Sequence, residues 1–112
     1  MPTKNPQEPF QRVSVAEAKE LIGDGAHIID VREPHEYQSG HVPGASLIPV
    51  NSVFARREEL PKGGKILFVC SVGQRSALAC EMAAAAGLPP DSLYNLEGGT
   101  DSWSKAGEAL ET

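Results

Sequence analysis

The chain has 112 residues, enough for one compact domain and little more. No apolar run approaches bilayer length, which excludes a membrane helix, and the formal net charge of −5 argues against general nucleic-acid binding. Two cysteines, Cys70 and Cys80, are too few for a disulfide scaffold and lack the companion ligands of a zinc site; a reducing compartment and one working thiol fit better.

Met1 to Pro9 is polar and proline-rich and lacks the charged-then-apolar pattern of a secretory signal. It is expected to be a flexible tail, with residues 10–112 forming a single domain in the cytoplasm. Ser14 followed by Glu17 forms a capping-box signature, and Val15, Ala18, Leu21 and Ile22 give the apolar stripe of a helix ending at Gly23 to Gly25. Ile28 to Val31 is apolar and β-branched enough for a buried strand. Pro34 opens a short polar helix that stops at Gly40. Leu47 to Val50 is a second strand, and Asn51 caps a short helix ending near Leu60. Ile66 to Val69, four apolar residues between a glycine turn and Cys70, is the strongest strand signal in the chain. An alanine-rich helix follows over Ser76 to Ala86, with Gly87 as its C′ residue. Ser92 to Leu96 is a further strand, Gly98 and Gly99 make a turn, and a last helix carries Trp103.

Strands alternating with helices predict an α/β fold with a parallel sheet. Three segments follow strands directly: Asp30 to Glu33, the stretch from Cys70, and Glu97 to Gly99. On a parallel sheet all three lie at the carboxyl edge, where ligands bind.

The loop Cys70-Ser71-Val72-Gly73-Gln74-Arg75-Ser76 runs from a strand into a helix. Such a loop turns backbone N–H groups inward as an anion nest, and Gly73 supplies the positive φ that lets it curl. The nest and the neighbouring Arg75 favour the thiolate of Cys70, which is then a nucleophile without a histidine base. The competing reading is a buried structural thiol, which is the reading that suits Cys80 among Ala79, Met82 and Ala83. Arg75 opposes the helix dipole, which points to an anion rather than to helix stability.

The segment from Asp30-Val31-Arg32-Glu33-Pro34 through Gly40-His41-Val42-Pro43-Gly44-Ala45, the Cys70 loop, and Leu96-Glu97-Gly98-Gly99 with Trp103 resemble, in order and spacing, the signatures of the rhodanese family. The resemblance covers about residues 12 to 107. It implies a three-layer α/β/α fold with a five-stranded parallel sheet. It also implies a sulfur transfer in which Cys70 takes sulfane sulfur from thiosulfate or a similar anionic donor and passes the persulfide sulfur to cyanide, a thiol or a relay protein. Neither a metal nor an organic cofactor is implied, and neither a nucleic acid nor a membrane is expected as partner. Asp30 and Arg32 are expected to brace the scaffold. His41 is within reach of the crevice but suits a structural role, Glu97 could border the pocket, and Trp103 belongs under the glycine turn.

Two rival functions remain open. A cysteine-based phosphatase or arsenate reductase also uses a Cys-to-Arg loop, but the tyrosine-phosphatase type carries one more residue between the two than the four here. A non-enzymatic binding or sulfur-relay module is the other. Ser71 stands where some family members carry a basic residue, which leaves Arg75 to meet an anionic donor.

Overall fold

The run from Ile66 to Val69 is buried at every position, and it forms the middle of the sheet. In the computed structural model, which describes residues 2–112, the strand order is β1-β2-β6-β5-β3-β4. The strands are β1 Thr3–Lys4, β2 Gln11–Val13, β3 His27–Asp30, β4 Ser46–Leu47, β5 Ile66–Val69 and β6 Leu93–Leu96. β5 pairs in parallel with β3 on one side and β6 on the other. β4 and β2 continue the parallel pairing outward, and β1 alone is antiparallel, against Gln11 and Arg12.

Because the pleat sends successive side chains to opposite faces, β5 feeds two cores. Ile66, Phe68 and Cys70 join the cluster containing Val50 and Val53 of α3 (Val50–Val53) and Ala79, Cys80 and Ala83 of α4 (Gln74–Ala85). Leu67 and Val69 join Ala18 and Leu21 of α1 (Val15–Gly23) and Trp103 of α5 (Gly99–Lys105). A short helix, Pro34–Gln38, lies between β3 and β4 in the chain; with it numbered α2, the helices run α1 to α5 in chain order. Helices thus cover both faces, the expected three-layer architecture.

The sheet has six strands where five were expected. The extra one, β1, lies inside the Met1 to Pro9 segment, which is therefore not wholly a free tail, and Glu8 of the same segment pairs with Arg12. Local predictions hold where capping chemistry is explicit. The Ser14 hydroxyl accepts from the Glu17 amide while the Glu17 carboxylate accepts from the Ser14 amide. Gly87, at φ 102°, closes α4 with bonds from its own amide to Ala84 and from the Leu88 amide to Ala83, the Schellman pattern.

Two boundaries move. The second strand is Ser46–Leu47 and not Leu47 to Val50. The Ile48 and Val50 amides still donate to the carbonyls of Asp30 and Val31, but Pro49 has no N–H to give and turns the chain into α3. Pro49, not Asn51, therefore occupies the cap position, and a 3₁₀ turn at Arg57–Glu59 completes the approach to Leu60. Likewise α4 starts at Gln74 and not at Ser76, since Gly73 at φ 98° already redirects the backbone. No helix among the described residues is long and apolar enough to cross a membrane.

Candidate active site

The three segments that follow β3, β5 and β6 do meet at the carboxyl edge of the sheet. Cys70 leaves the central strand and is fully buried. Its Sγ accepts hydrogen bonds from the backbone amides of Gly73 at 3.1 Å and Ser76 at 3.3 Å. These amides sit at the cap position and in the first turn of α4. Gly73 has no side chain to cap that turn, so the cysteine sulfur supplies the missing acceptor. Ser76 Oγ stands 3.3 Å from Sγ and 2.5 Å from Asn95 Oδ1, while Asn95 Nδ2 donates to the Gly73 carbonyl at 3.0 Å.

The nest is held open from behind. The Thr100 and Asp101 amides, in the first turn of α5, donate to the carbonyls of Cys70 at 2.8 Å and Ser71 at 3.1 Å. In a trans peptide the N–H points opposite to the C=O. Fixing the Ser71 carbonyl against α5 therefore aims the Val72 N–H back toward the sulfur. The approach of α5 needs Gly99: a Cβ there would lie 2.1 Å from the Cys70 oxygen and 2.5 Å from the Ser71 carbonyl carbon.

Electrostatics follow from this geometry. Burial pushes the Cys70 thiol up, but the Ser76 hydroxyl and the amides of Ser76, Gly73 and Val72 outweigh it, so its pKa lies below the ordinary thiol value. These hydrogen bonds favour the thiolate form of Cys70, and no histidine is among the groups that do so.

Arg75 takes a different position from the one its place in the loop suggested. Its guanidinium grips Glu36 of α2 with both ends, at 2.7 and 3.0 Å, and donates to Ser71 Oγ at 3.0 Å. Ser71 Oγ in turn donates to Glu36 at 3.2 Å. The Arg75 guanidinium, burial notwithstanding, holds the Glu36 carboxyl down to about 2. Of the remaining loop residues, Val72 and Gln74 are exposed.

Asp30 and Arg32 form a buried scaffold pair. Arg32 Nη2 meets Asp30 at 2.8 Å and the Gly40 carbonyl at 2.7 Å, and the Arg32 amide also donates to Asp30. This ties the exit of β3 to the turn after α2. His41 stacks on Tyr37, bonds through Nδ1 to the Tyr37 carbonyl at 2.9 Å and bridges to Glu111. These partners are not residues of the Cys70 loop. Glu97 is exposed and faces Arg12 and Ser102 across a separate cleft, while Trp103 is buried with Leu96 and Val42, its Nε1 donating to Ala109.

Sequence reasoning missed Glu36, Asn95 and the amides of α5. Asn95 carried a signal, as a polar residue inside the buried run Leu93 to Leu96. Glu36 carried none, since the pairing of α2 with α4 is a tertiary fact.

Residues 14–106 match the model of the rhodanese-like domain. The chain belongs to this rhodanese-like family. It is 32% identical over 96 residues to the thiosulfate sulfurtransferase GlpE of Pseudomonas entomophila (strain L48), covering 84% of each chain. It is 35% identical over 78 residues to YqhL of Bacillus subtilis (strain 168), a match spanning 70% of this chain and 60% of YqhL. A rhodanese-related protein from Thermoplasma volcanium superposes with a TM-score of 0.80 at 29% identity, over 89% of this chain and 96% of that one. The rhodanese-like domain thus spans nearly the whole of the described chain, and family membership points to sulfur transfer in general.

Proposed function

We propose that this rhodanese-like protein is a sulfurtransferase that carries sulfane sulfur as a persulfide on Cys70. One observation carries the reading: the backbone amides of Gly73 and Ser76 both donate to Sγ, which stabilises negative charge at that one atom. The thiolate attacks the outer sulfur of a donor such as thiosulfate. The new Sγ–S bond forms as the donor's S–S bond breaks, and sulfite leaves with the electron pair. A thiophilic acceptor, such as cyanide or a thiol, then attacks the outer sulfur and Cys70 leaves as thiolate. The same amides that hold the thiolate hold it as leaving group. Because Cys70 has no exposed surface, part of the loop that covers it must move aside for either reagent.

A phosphatase reading is weaker. The loop is short, and its arginine is engaged by Glu36, so a tetrahedral dianion would find few donors outside the backbone.

The test is the intact mass of the reduced protein after exposure to thiosulfate or to cysteine persulfide, then desalting. One added sulfur on wild type and Cys80→Ser, absent from Cys70→Ser and removed by cyanide, is the expected result. A gain that survives Cys70→Ser, or no gain with either donor, overturns the proposal.

A further inference from the structure

Two charged side chains flank the Cys70 loop, and they are joined. Glu36 reaches over from α2 to take both ends of the Arg75 guanidinium, the bidentate geometry that a carboxylate shares with an incoming oxyanion. Ser71, the residue next to the nucleophile, is drawn into the same clamp as donor to Glu36 and acceptor from Arg75. The Glu33 amide fixes Glu36 Oε1 from the far side at 2.9 Å. Most of each charged side chain is shielded from solvent, at 34% exposure for Arg75 and 26% for Glu36, so water screens the pair incompletely. The cation that would attract an anionic donor is therefore neutralised, and a carboxylate stands beside it with the same sign as the thiolate.

We propose that Glu36 is a specificity-determining residue: by occupying Arg75 it turns the site from dianionic donors such as thiosulfate toward alkyl persulfides, R–S–S–H. The inference rests on the sulfur-transfer reading and names its donor class. In the step with a persulfide, the Cys70 thiolate bonds to the terminal sulfur and the donor's S–S bond breaks. The alkyl thiolate leaves with the electron pair, and the proton stays on the transferred sulfur, giving Cys70–S–S–H. No oxidant or reductant is consumed. Thiosulfate would instead bring two negative charges up to a thiolate and a carboxylate.

The experiment compares kcat/KM for thiosulfate and cysteine persulfide in wild type, Glu36→Gln and Glu36→Gln/Arg75→Met, with folding checked by circular dichroism. The amide of Gln keeps an acceptor for Arg75 and for the Glu33 cap but removes the charge. Wild type is expected to favour the persulfide by roughly tenfold or more. Glu36→Gln is expected to raise the thiosulfate-to-persulfide ratio by about tenfold, mainly through a lower KM for thiosulfate, and the double variant is expected to lose that gain. Equal use of the two donors by wild type overturns the inference even if the variants fail to fold. So does an unchanged ratio in Glu36→Gln, or a gain that persists without Arg75. In all three cases a persulfide still forms on Cys70 and sulfur transfer stands; no persulfide from either donor overturns both.

Discussion

Cys70 and Cys80 share one apolar cluster, and neither has exposed surface, yet their surroundings drive them in opposite directions. Cys80 lies within α4, where every nearby amide is engaged in the helix. Among the described residues its Sγ makes one hydrogen bond, donated to the Tyr94 carbonyl at 3.6 Å, and burial, with the charge of Glu81 adding to it, pushes its thiol well above the ordinary range. Cys70 feels the same burial but stands where a helix begins and amides lack partners. Depth alone therefore does not decide whether a thiol is inert. What decides it is whether the backbone has N–H groups left to give.

The largest expected effect comes from removing the support of the nest. Gly99→Ala places a Cβ 2.1 Å from the Cys70 carbonyl oxygen, so α5 and the loop must separate. Displacements on the order of 1 Å at a reacting centre cost about 10²-fold. Single-turnover persulfidation is expected to fall by about that factor, and a variant that folds and reacts at the wild-type rate would show that α5 does not shape the nest. A smaller effect is expected from Ser76→Ala, which removes the hydroxyl but leaves the amides. A hydrogen bond to a charged group is worth about 1.5–3 kcal/mol. Alkylation of Cys70 at pH 6 should slow by roughly tenfold, as the thiolate becomes harder to form, with a midpoint moved upward. An unmoved midpoint would assign the whole effect to the backbone.

The smallest effect concerns stability against pH. The folded Cys80 pKa is raised, so above the ordinary thiol value of 9.0 the unfolded chain releases a proton that the folded chain retains. This stability is present below that value and declines as pH rises through it. Cys70 has the opposite sign: its lowered folded pKa favours the fold above the ordinary value, and that contribution is lost as pH falls through the folded pKa. Cys80→Ala is expected to cost about 1 kcal/mol at pH 7 from the small cavity it leaves, and to flatten the loss of stability above pH 9. Urea melts across pH 7 to 10 measure both; an unchanged slope would mean that Cys80 ionises freely in the fold.

Much of the fold was legible because its local chemistry is explicit. The Ser14 box, the Ile66 to Val69 run and Gly87 mark their elements within a residue or two, and the alternation of strand and helix implies a parallel sheet. Strand β2 was not legible. Its three residues, Gln11, Arg12 and Val13, lack an apolar pattern and extend only because β6 lies alongside. β1 depends on β2 in the same way. In the site, Cys70, Gly73 and Ser76 could be placed from the loop itself, because a tight strand-to-helix turn dictates where its amides point. Arg75 shows where that reasoning stops. Its charge was visible in the sequence, but its partner Glu36 is 39 positions away and reaches it only after two layers have packed.

The sulfur that would react is also the atom that closes the first turn of α4. Attaching a second sulfur to it, or taking one away, changes the acceptor seen by the Gly73 and Ser76 amides. Those two N–H groups are therefore a built-in gauge of cargo. Their proton chemical shifts would distinguish a loaded molecule from an empty one, with no label attached and no turnover required.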